Sequence, residues 1–179
     1  MTQPWMAQAV ITKYESLLFE GVKVLELGSG NSTAWLLNHG AEVISYEHNE
    51  TWYAQIKGTF TNVSQGEIRL FPHYYEEIAA LDAESFDICV VDGIDRGLCV
   101  IAIIENNLLK LGGILIFDDS ERRWFASEYT KACELIEQTY SQIEYIGDYP
   151  IHTHKEYEEY KIRIPPHCLK QSLFATNSR

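Results

Sequence analysis

The sequence predicts an α/β protein with a doubly wound, mostly parallel sheet, and three observations carry this prediction. Short apolar runs typical of strands alternate five times with stretches typical of helices. Such βα repeats form parallel strands joined by right-handed crossovers, with helices on both faces of the sheet. Two strand-like segments then follow each other without a helix, which predicts an antiparallel hairpin at one edge. A chain of 179 residues is of the usual length for a single domain.

The predicted elements follow one another in a regular order. A first helix spans residues 4–19, within an N-terminal segment of residues 1–20. The strands of the βα repeats are predicted at 23–27, 42–47, 67–71, 86–92 and 114–118. The helices after them are predicted at 32–38, 50–60, 75–81, 98–111 and 127–139, the fourth ending at Gly112-Gly113. The closing hairpin is predicted at 142–149 and 158–164, which completes a core of residues 21–165, and residues 166–179 are expected to form a loosely held polar tail.

Composition narrows the classes of partner. The formal net charge is −12, whereas nucleic-acid binding needs clustered Lys and Arg, so we expect no nucleic-acid partner. The longest apolar run, 98–104, is far shorter than the roughly 20 residues that cross a membrane, and the N-terminus lacks the pattern of a signal peptide. The four cysteines have no CxxC or metal-binding spacing, so reduced thiols and a cytoplasmic location are expected. The composition allows a homodimer without requiring one.

The first predicted strand ends in an acid followed by a glycine turn. From this strand into the next helix the sequence reads Val24-Leu25-Glu26-Leu27-Gly28-Ser29-Gly30-Asn31-Ser32-Thr33. Glycines at such a turn let the backbone approach a ligand closely and adopt dihedral angles that a Cβ would forbid. Glu26 would repel a pyrophosphate, and it suits a cationic or hydroxyl-rich ligand.

At this motif the sequence resembles the class I S-adenosylmethionine-dependent methyltransferases, whose first motif is a hydrophobic strand followed by E/D-x-G-x-G. The resemblance covers residues 20 to 165 and implies a Rossmann-like, seven-stranded sheet with an antiparallel last strand. It also implies S-adenosylmethionine as the cofactor, bound at the carboxyl ends of the strands. The residues expected to bind it are Glu26, Gly28, Ser29, Gly30, Asn31, Ser32, Glu47, His48, His73, Tyr74 and Asp92.

Glu47 ends the second predicted strand, 19 residues after Gly28. This spacing suits a carboxylate that accepts both hydroxyls of a ribose. A nicotinamide-dependent oxidoreductase shares the fold and the ribose acid, and it is one alternative. Such enzymes normally have the third glycine of GxGxxG, where this chain has Thr33, and they have no use for Glu26. A non-catalytic protein that binds S-adenosylmethionine is the second alternative.

Three aspartates end the fourth and fifth predicted strands: Asp92, Asp118 and Asp119. By resemblance they match the Mg²⁺-binding positions of the metal-dependent, catechol-type O-methyltransferases. Converging carboxylates need a hard cation or hydrogen-bond donors between them, and all-oxygen ligation suits Mg²⁺ or Ca²⁺, so Mg²⁺ is the candidate second cofactor. That branch usually has a lysine shortly after the strand-four acid, and this chain has none there. In the alternative interpretation, Asp118 and Asp119 cap the next segment and pair with Arg96 or Arg122.

The expected function is the transfer of a methyl group from S-adenosylmethionine to a small molecule, at an oxygen. Methyl transfer needs mainly alignment of the reacting atoms and removal of the acceptor proton. The candidate bases are Asp92, His152 and His154, the two histidines lying on the loop between the predicted closing strands. Aromatic residues that follow strand ends, such as Trp52, are expected to form a pocket wall.

Overall fold

The computed structural model describes residues 3–59, 66–147, 151–163 and 171–178, and its centre is a seven-stranded sheet. The strands are β1 (Lys23–Leu27), β2 (Glu42–Glu47), β3 (Gly66–Leu70), β4 (Phe86–Val91), β5 (Leu109–Phe117), β6 (Gln142–Gly147) and β7 (Gln171–Thr176). Their order is β3-β2-β1-β4-β5-β7-β6. The first five strands are parallel to one another, and β7 is antiparallel to both β5 and β6. The predicted doubly wound sheet with an antiparallel last strand is confirmed.

Helices cover both faces of this sheet. They are α1 (Gln8–Glu15), α2 (Asn31–Asn38), α3 (Glu50–Thr59), α4 (Tyr74–Glu77), α5 (Arg96–Glu105), α6 (Ser127–Thr139) and α7 (His154–Arg163), with 3₁₀ turns at Ile78–Ala80 and Ser120–Trp124. In β4, Ile88 and Val90 belong to the core that α1 and α2 cover, whereas Cys89 and Val91 belong to the core under α5 and α6. Burial of both faces explains why these strands are continuously apolar in sequence.

The strand order reverses at β1, which pairs with β2 on one side and with β4 on the other. In open α/β sheets, ligands bind outside the carboxyl ends of the strands at such a switch point. The residues that follow β1, β2 and β4 therefore meet at the place where a ligand site is expected.

The predicted helix at 98–111 is wrong at its end, because α5 stops at Glu105 and β5 begins at Leu109. Gly112 and Gly113 lie inside β5 rather than after a helix. The register against β4 jumps there, since Phe86 pairs with Leu109 but Ile88 pairs with Ile114. Gly112 has φ +79°, so the glycine pair provides the backbone freedom of a bulge and not a helix stop.

The strand predicted at 158–164 is also wrong for residues 158–163, because residues 154–163 form α7, and residue 164 lies outside the described residues. Thr153 and Glu156 start this helix with reciprocal bonds: the Thr153 hydroxyl accepts the N–H of Glu156, and the Glu156 carboxylate accepts the N–H of Thr153. The strand that closes the sheet is β7, within the segment expected to be a loose tail. Leu173, Phe174 and Ala175 are buried there, so the expectation of a loosely held tail fails for residues 171–176.

Candidate functional site

A cavity of about 550 Å³ lies at the switch point of the sheet, within the size range of small-ligand sites. Among the residues expected to bind the cofactor, it is lined by Gly28, Ser29, Gly30, Asn31, Ser32, Glu47, His48 and Asp92. Five further residues line the cavity although the sequence did not assign them to the site: Trp5, Asn49, Gly93, Ile94 and Arg96. A larger cleft of about 890 Å³ runs along β3, but its lining contains neither the glycine turn nor the acids at the strand ends. The smaller cavity is therefore the candidate site.

The two glycines of the turn have different roles. Gly28 has φ +108°, and a Cβ placed on it would lie 2.6 Å from the Cα and N of Gly93. Glycine is thus required at position 28 for packing of the turn against the loop after β4. At Gly30, the nearest atom to an added Cβ is Nε1 of Trp52, at 4.0 Å. The backbone at Gly30 therefore borders open space in the cavity.

Glu26 lies beneath the turn and not among the cavity-lining residues. Its side chain is fully buried, and its Oε2 accepts hydrogen bonds from the hydroxyls of Thr33 at 2.5 Å and Ser45 at 2.6 Å. Thr33 also accepts the N–H of Gly30 at 2.8 Å, and Ser45 shares a 2.6 Å hydrogen bond with Ser29. Burial raises the pKa of Glu26. The structure thus gives Glu26 contacts that fix the shape of the turn, and Thr33 takes part in this network where the dinucleotide motif has a glycine.

Glu47 ends β2 at the cavity, and its side chain is almost completely buried. Oε1 accepts the N–H of His48 at 2.9 Å and the N–H of Asn49 at 2.7 Å, and it lies 3.0 Å from Nδ1 of His48. These contacts hold one carboxylate oxygen in place. The other oxygen, Oε2, has no contact of this kind with the described residues, so it is available to a ligand hydroxyl in the cavity.

Trp52 connects α3 to the glycine turn. Its indole N–H donates to the carbonyl of Ser29 at 2.7 Å, and its backbone N–H donates to Oδ1 of Asn49 at 2.9 Å. The prediction that Trp52 lies in a pocket wall agrees with this position. Trp5 lines the cavity from the segment before α1, with 76% of its surface exposed. The predicted helix at 4–19 included Trp5, but α1 begins only at Gln8, so the sequence did not indicate that Trp5 lines the cavity.

His73 and Tyr74 are outside the cavity lining, unlike the expectation for cofactor binding. The hydroxyl of Tyr74 accepts the N–H of Ile94 at 2.6 Å, and a Cβ on Gly93 would lie 1.8 Å from it. Tyr74 therefore supports the loop after β4 from below. The exposed His73 ring lies 3.4 Å from a carboxylate oxygen of Asp95.

Asp92, Asp118 and Asp119 converge as the sequence predicts, but a guanidinium group lies between them. Arg96 Nη2 is 3.0 Å from Asp92, and Nη1 is 3.4 Å from Asp118. The same Nη1 is 3.2 Å from Asp119, which also pairs with Arg122 at 2.7 Å. Burial and the neighbouring carboxylates raise the pKa values of Asp92 and Asp118.

These contacts do not fit the predicted Mg²⁺ site. The place between the carboxylates is filled by the side chain of Arg96, and the hydroxyl of Ser172 donates to Asp118 at 2.6 Å. Among the described residues, no group of three or more His, Cys, Asp or Glu is arranged to hold a metal ion. Our expectation of magnesium is therefore not supported, and the alternative pairing with Arg96 and Arg122 is the one observed.

His152 and His154 lie near the cluster of aromatic residues around α7. The His154 ring is 6.0 Å from the Trp124 ring, and the His152 ring is 6.0 Å from the Tyr145 ring. His152 precedes α7 and His154 begins it, so the predicted loop between two strands is wrong. Neither histidine is among the described residues that line the cavity. Their catalytic role remains a prediction.

Neither protein-family models nor curated proteins give a match to this sequence. Several solved structures, in contrast, have a similar fold. The carbon methyltransferase CurJ superposes with a TM-score of 0.61 at 13% identity, over 95% of this chain and 52% of its own length. An S-adenosylmethionine-dependent methyltransferase from Geobacter sulfurreducens, in complex with S-adenosylhomocysteine, gives 0.59 at 15% identity over 99% and 93%. An rRNA methylase from Streptococcus thermophilus gives 0.64 at 14% identity over 94% and 96%.

The chain has the fold of the S-adenosylmethionine-dependent methyltransferases. At these identities the similarity concerns the methyltransferase fold itself, and the assignment of individual site residues rests on the geometry above. A spermidine synthase from Thermotoga maritima shares the fold, with a TM-score of 0.59 at 14% identity over 98% of this chain and 60% of its own. None of the helices in the described part of the chain is long and apolar enough to cross a membrane.

Proposed function

We propose that this chain is an S-adenosylmethionine-dependent methyltransferase that transfers a methyl group to an oxygen of a small-molecule acceptor. One observation carries the proposal: the glycine turn and Glu47 line one cavity at the switch point of a methyltransferase fold. The open space beside Gly30 and the available oxygen of Glu47 fit a nucleoside bound across the ends of β1 and β2. The buried Glu26 network keeps the turn in the shape that this binding requires.

The bound cofactor supplies a sulfonium methyl group, which is electrophilic without help from the protein. In this proposal the turn orients the cofactor, Glu47 accepts its ribose hydroxyls, and Trp52 and Trp5 flank it. Asp92 also lines the cavity, and burial beside other carboxylates raises its pKa, which makes its ionised form a stronger base than an ordinary aspartate. Asp92 is therefore the favoured candidate base.

Charge supports a small acceptor over a nucleic acid. The chain carries a net charge of −12, and the cavity contains Glu47 and Asp92, with Arg96 already engaged by carboxylates. A polyanion would meet repulsion at this opening. The proposed location is the cytoplasm, where thiols such as the buried, free Cys89 and Cys133 stay reduced.

Calorimetric titration with S-adenosylhomocysteine and, separately, with NADH tests this proposal against the oxidoreductase alternative. We expect saturable binding of S-adenosylhomocysteine and a higher melting temperature, because a ligand that binds only the folded state stabilises it. Binding of NADH alone would contradict the proposal. A screen with methyl-labelled cofactor over phenols, sugars and amines then separates a methyltransferase from a non-catalytic binding protein.

A further inference from the structure

The carboxyl ends of β4 and β5 form a compact charged cluster, here called the Arg96 cluster: Arg96, Asp92, Asp118, Asp119 and Arg122. The side chain of Arg96 is only 12% exposed, and those of Asp118 and Asp119 are 4% and 3% exposed. Arg96 is the one member that contacts all three aspartates. Arg122 contacts Asp119 from the more exposed side, at 44% exposure.

Every nitrogen of the Arg96 guanidinium has an acceptor. Nη1 and Nη2 contact the three carboxylates, and Nε donates to the carbonyl of Gly93 at 2.9 Å. Burial of an unpaired carboxylate is strongly unfavourable, so three of them at one point require a cation. A planar group with several donors can satisfy several acceptors at once, as a bound metal ion would.

The backbone conformation at Asp119 helps to fix the arrangement of the Arg96 cluster. Asp119 has φ +54°, a left-handed conformation that is unfavourable for a residue other than glycine. This conformation turns the chain from β5 into the 3₁₀ turn at Ser120–Trp124 and brings Asp119 to the guanidinium. Ser172 of β7 fixes Asp118 from the other side.

We infer that the guanidinium of Arg96 takes the place of a divalent cation in this cluster, so that the chain holds Asp92 at the cavity with a cation of its own. Arg96 is then a positioning residue: it acts through Asp92. Arg96 and Arg122 already supply two positive charges to these carboxylates, and the side chain of Arg96 fills the space between them. This inference concerns metal binding and does not depend on methyl transfer.

Direct titration with Mn²⁺, without any cofactor, tests the inference by calorimetry and by melting temperature. We expect no saturable binding and no stabilisation of the wild-type protein at millimolar Mn²⁺. Arg96→Ala should lower the melting temperature, since it removes the guanidinium that contacts Asp92 and Asp118. The same variant should bind Mn²⁺ at least about tenfold more tightly than the wild type and be partly restabilised by it.

Arg122→Ala is the matched control, because it removes a positive charge from Asp119 but leaves the centre of the cluster filled. It should gain little Mn²⁺ binding. Adding Asp118→Asn to Arg96→Ala should abolish the gained site. A wild-type protein that binds Mn²⁺ through Asp118 would overturn the inference, as would a folded Arg96→Ala variant without new binding. If Arg96→Ala does not fold, Arg96→Gln takes its place. Titration of the wild type and of the single variant Asp118→Asn with Mn²⁺ still tests whether the unchanged cluster binds a cation.

Discussion

The two carboxylate oxygens of Glu47 have different surroundings. Oε1 is held by the N–H groups of His48 and Asn49, which follow it in the chain. Glu47 lines the cavity, and its Oε2 has no such contact among the described residues. A carboxylate held in this way is pre-oriented, so a ligand that uses Oε2 loses little side-chain entropy on binding. The sequence spacing predicted the position of this acid but not its fixation.

Glu47→Ala should weaken binding of S-adenosylhomocysteine by about tenfold or more, the usual cost of losing hydrogen bonds to a charged group. Calorimetric titration measures this change. Glu47→Gln should keep the acceptor for the two backbone N–H groups but remove the charge, which separates a ligand effect from a folding effect. Glu42→Ala changes an exposed acid at the other end of β2 and should bind normally. Equal affinities for all three variants would contradict a ribose-binding role.

Gly28 and Gly30 should respond differently to one added methyl group. Gly28→Ala puts a Cβ against the backbone of Gly93 at positive φ, so it should lower the stability by about 1–3 kcal/mol. Gly30→Ala meets only Trp52, at 4.0 Å, so it should melt like the wild type. Its methyl group occupies space beside the turn and should weaken binding of S-adenosylhomocysteine. Melting curves and titrations of both variants check this, and a destabilised Gly30→Ala with normal binding would refute it.

At the scale of elements, the sequence predicted the correct bounds of strands and helices whose pattern is visible within the element itself. β1, β2 and α6 have the predicted bounds, since continuous apolar runs and helical periodicity mark them directly. The strand predicted at 86–92 is observed as β4, which ends one residue earlier, at Val91. β7 was missed because it has only three consecutive apolar residues, Leu173, Phe174 and Ala175, with polar residues on both sides. Arg96 was considered as a partner of the aspartates, but only the fold shows that it is central.

The burial of β7 gives a direct test of the corrected C-terminal segment. Phe174 is 4% exposed and lies between β5 and β6, so Phe174→Ala should cost about 3–5 kcal/mol in the free energy of unfolding. For a domain of this size, that corresponds to a melting temperature lower by roughly ten degrees. Phe125, at 61% exposure, provides the control, and Phe125→Ala should cost less than about 1 kcal/mol. A loose C-terminal segment would make both variants equally stable.

At the scale of the whole molecule, the buried acids set how stability depends on pH. Burial raises the pKa values of Glu26 and Glu121, the latter to about 7. The folded state then binds more protons than the unfolded chain above the ordinary glutamate pKa, so the free energy of unfolding falls as pH rises through this window. Hydrogen bonds from Arg69 and Arg123 lower the pKa values of Glu67 and Glu137, and that contribution is lost on acidification. Together these shifts place maximum stability at mildly acidic pH.

Glu121→Gln should remove much of the loss of stability on the alkaline side. Its Oε2 accepts the N–H of Gln171 at the start of β7, and a glutamine oxygen can take over this bond without a charge. A shift from 4.5 to about 7 corresponds to roughly 3 kcal/mol at about 1.36 kcal/mol per pKa unit.

The wild type and the variant should therefore melt alike near pH 5, whereas the variant should melt several degrees higher at pH 8. Melting curves across this pH range measure the difference, with Glu134→Gln on the exposed face of α6 as the control. Parallel pH profiles for Glu121→Gln and the wild type would show that this buried carboxyl does not control the loss of stability at high pH. The net negative charge of the chain would then be the cause to test, by measuring melting temperatures at different salt concentrations.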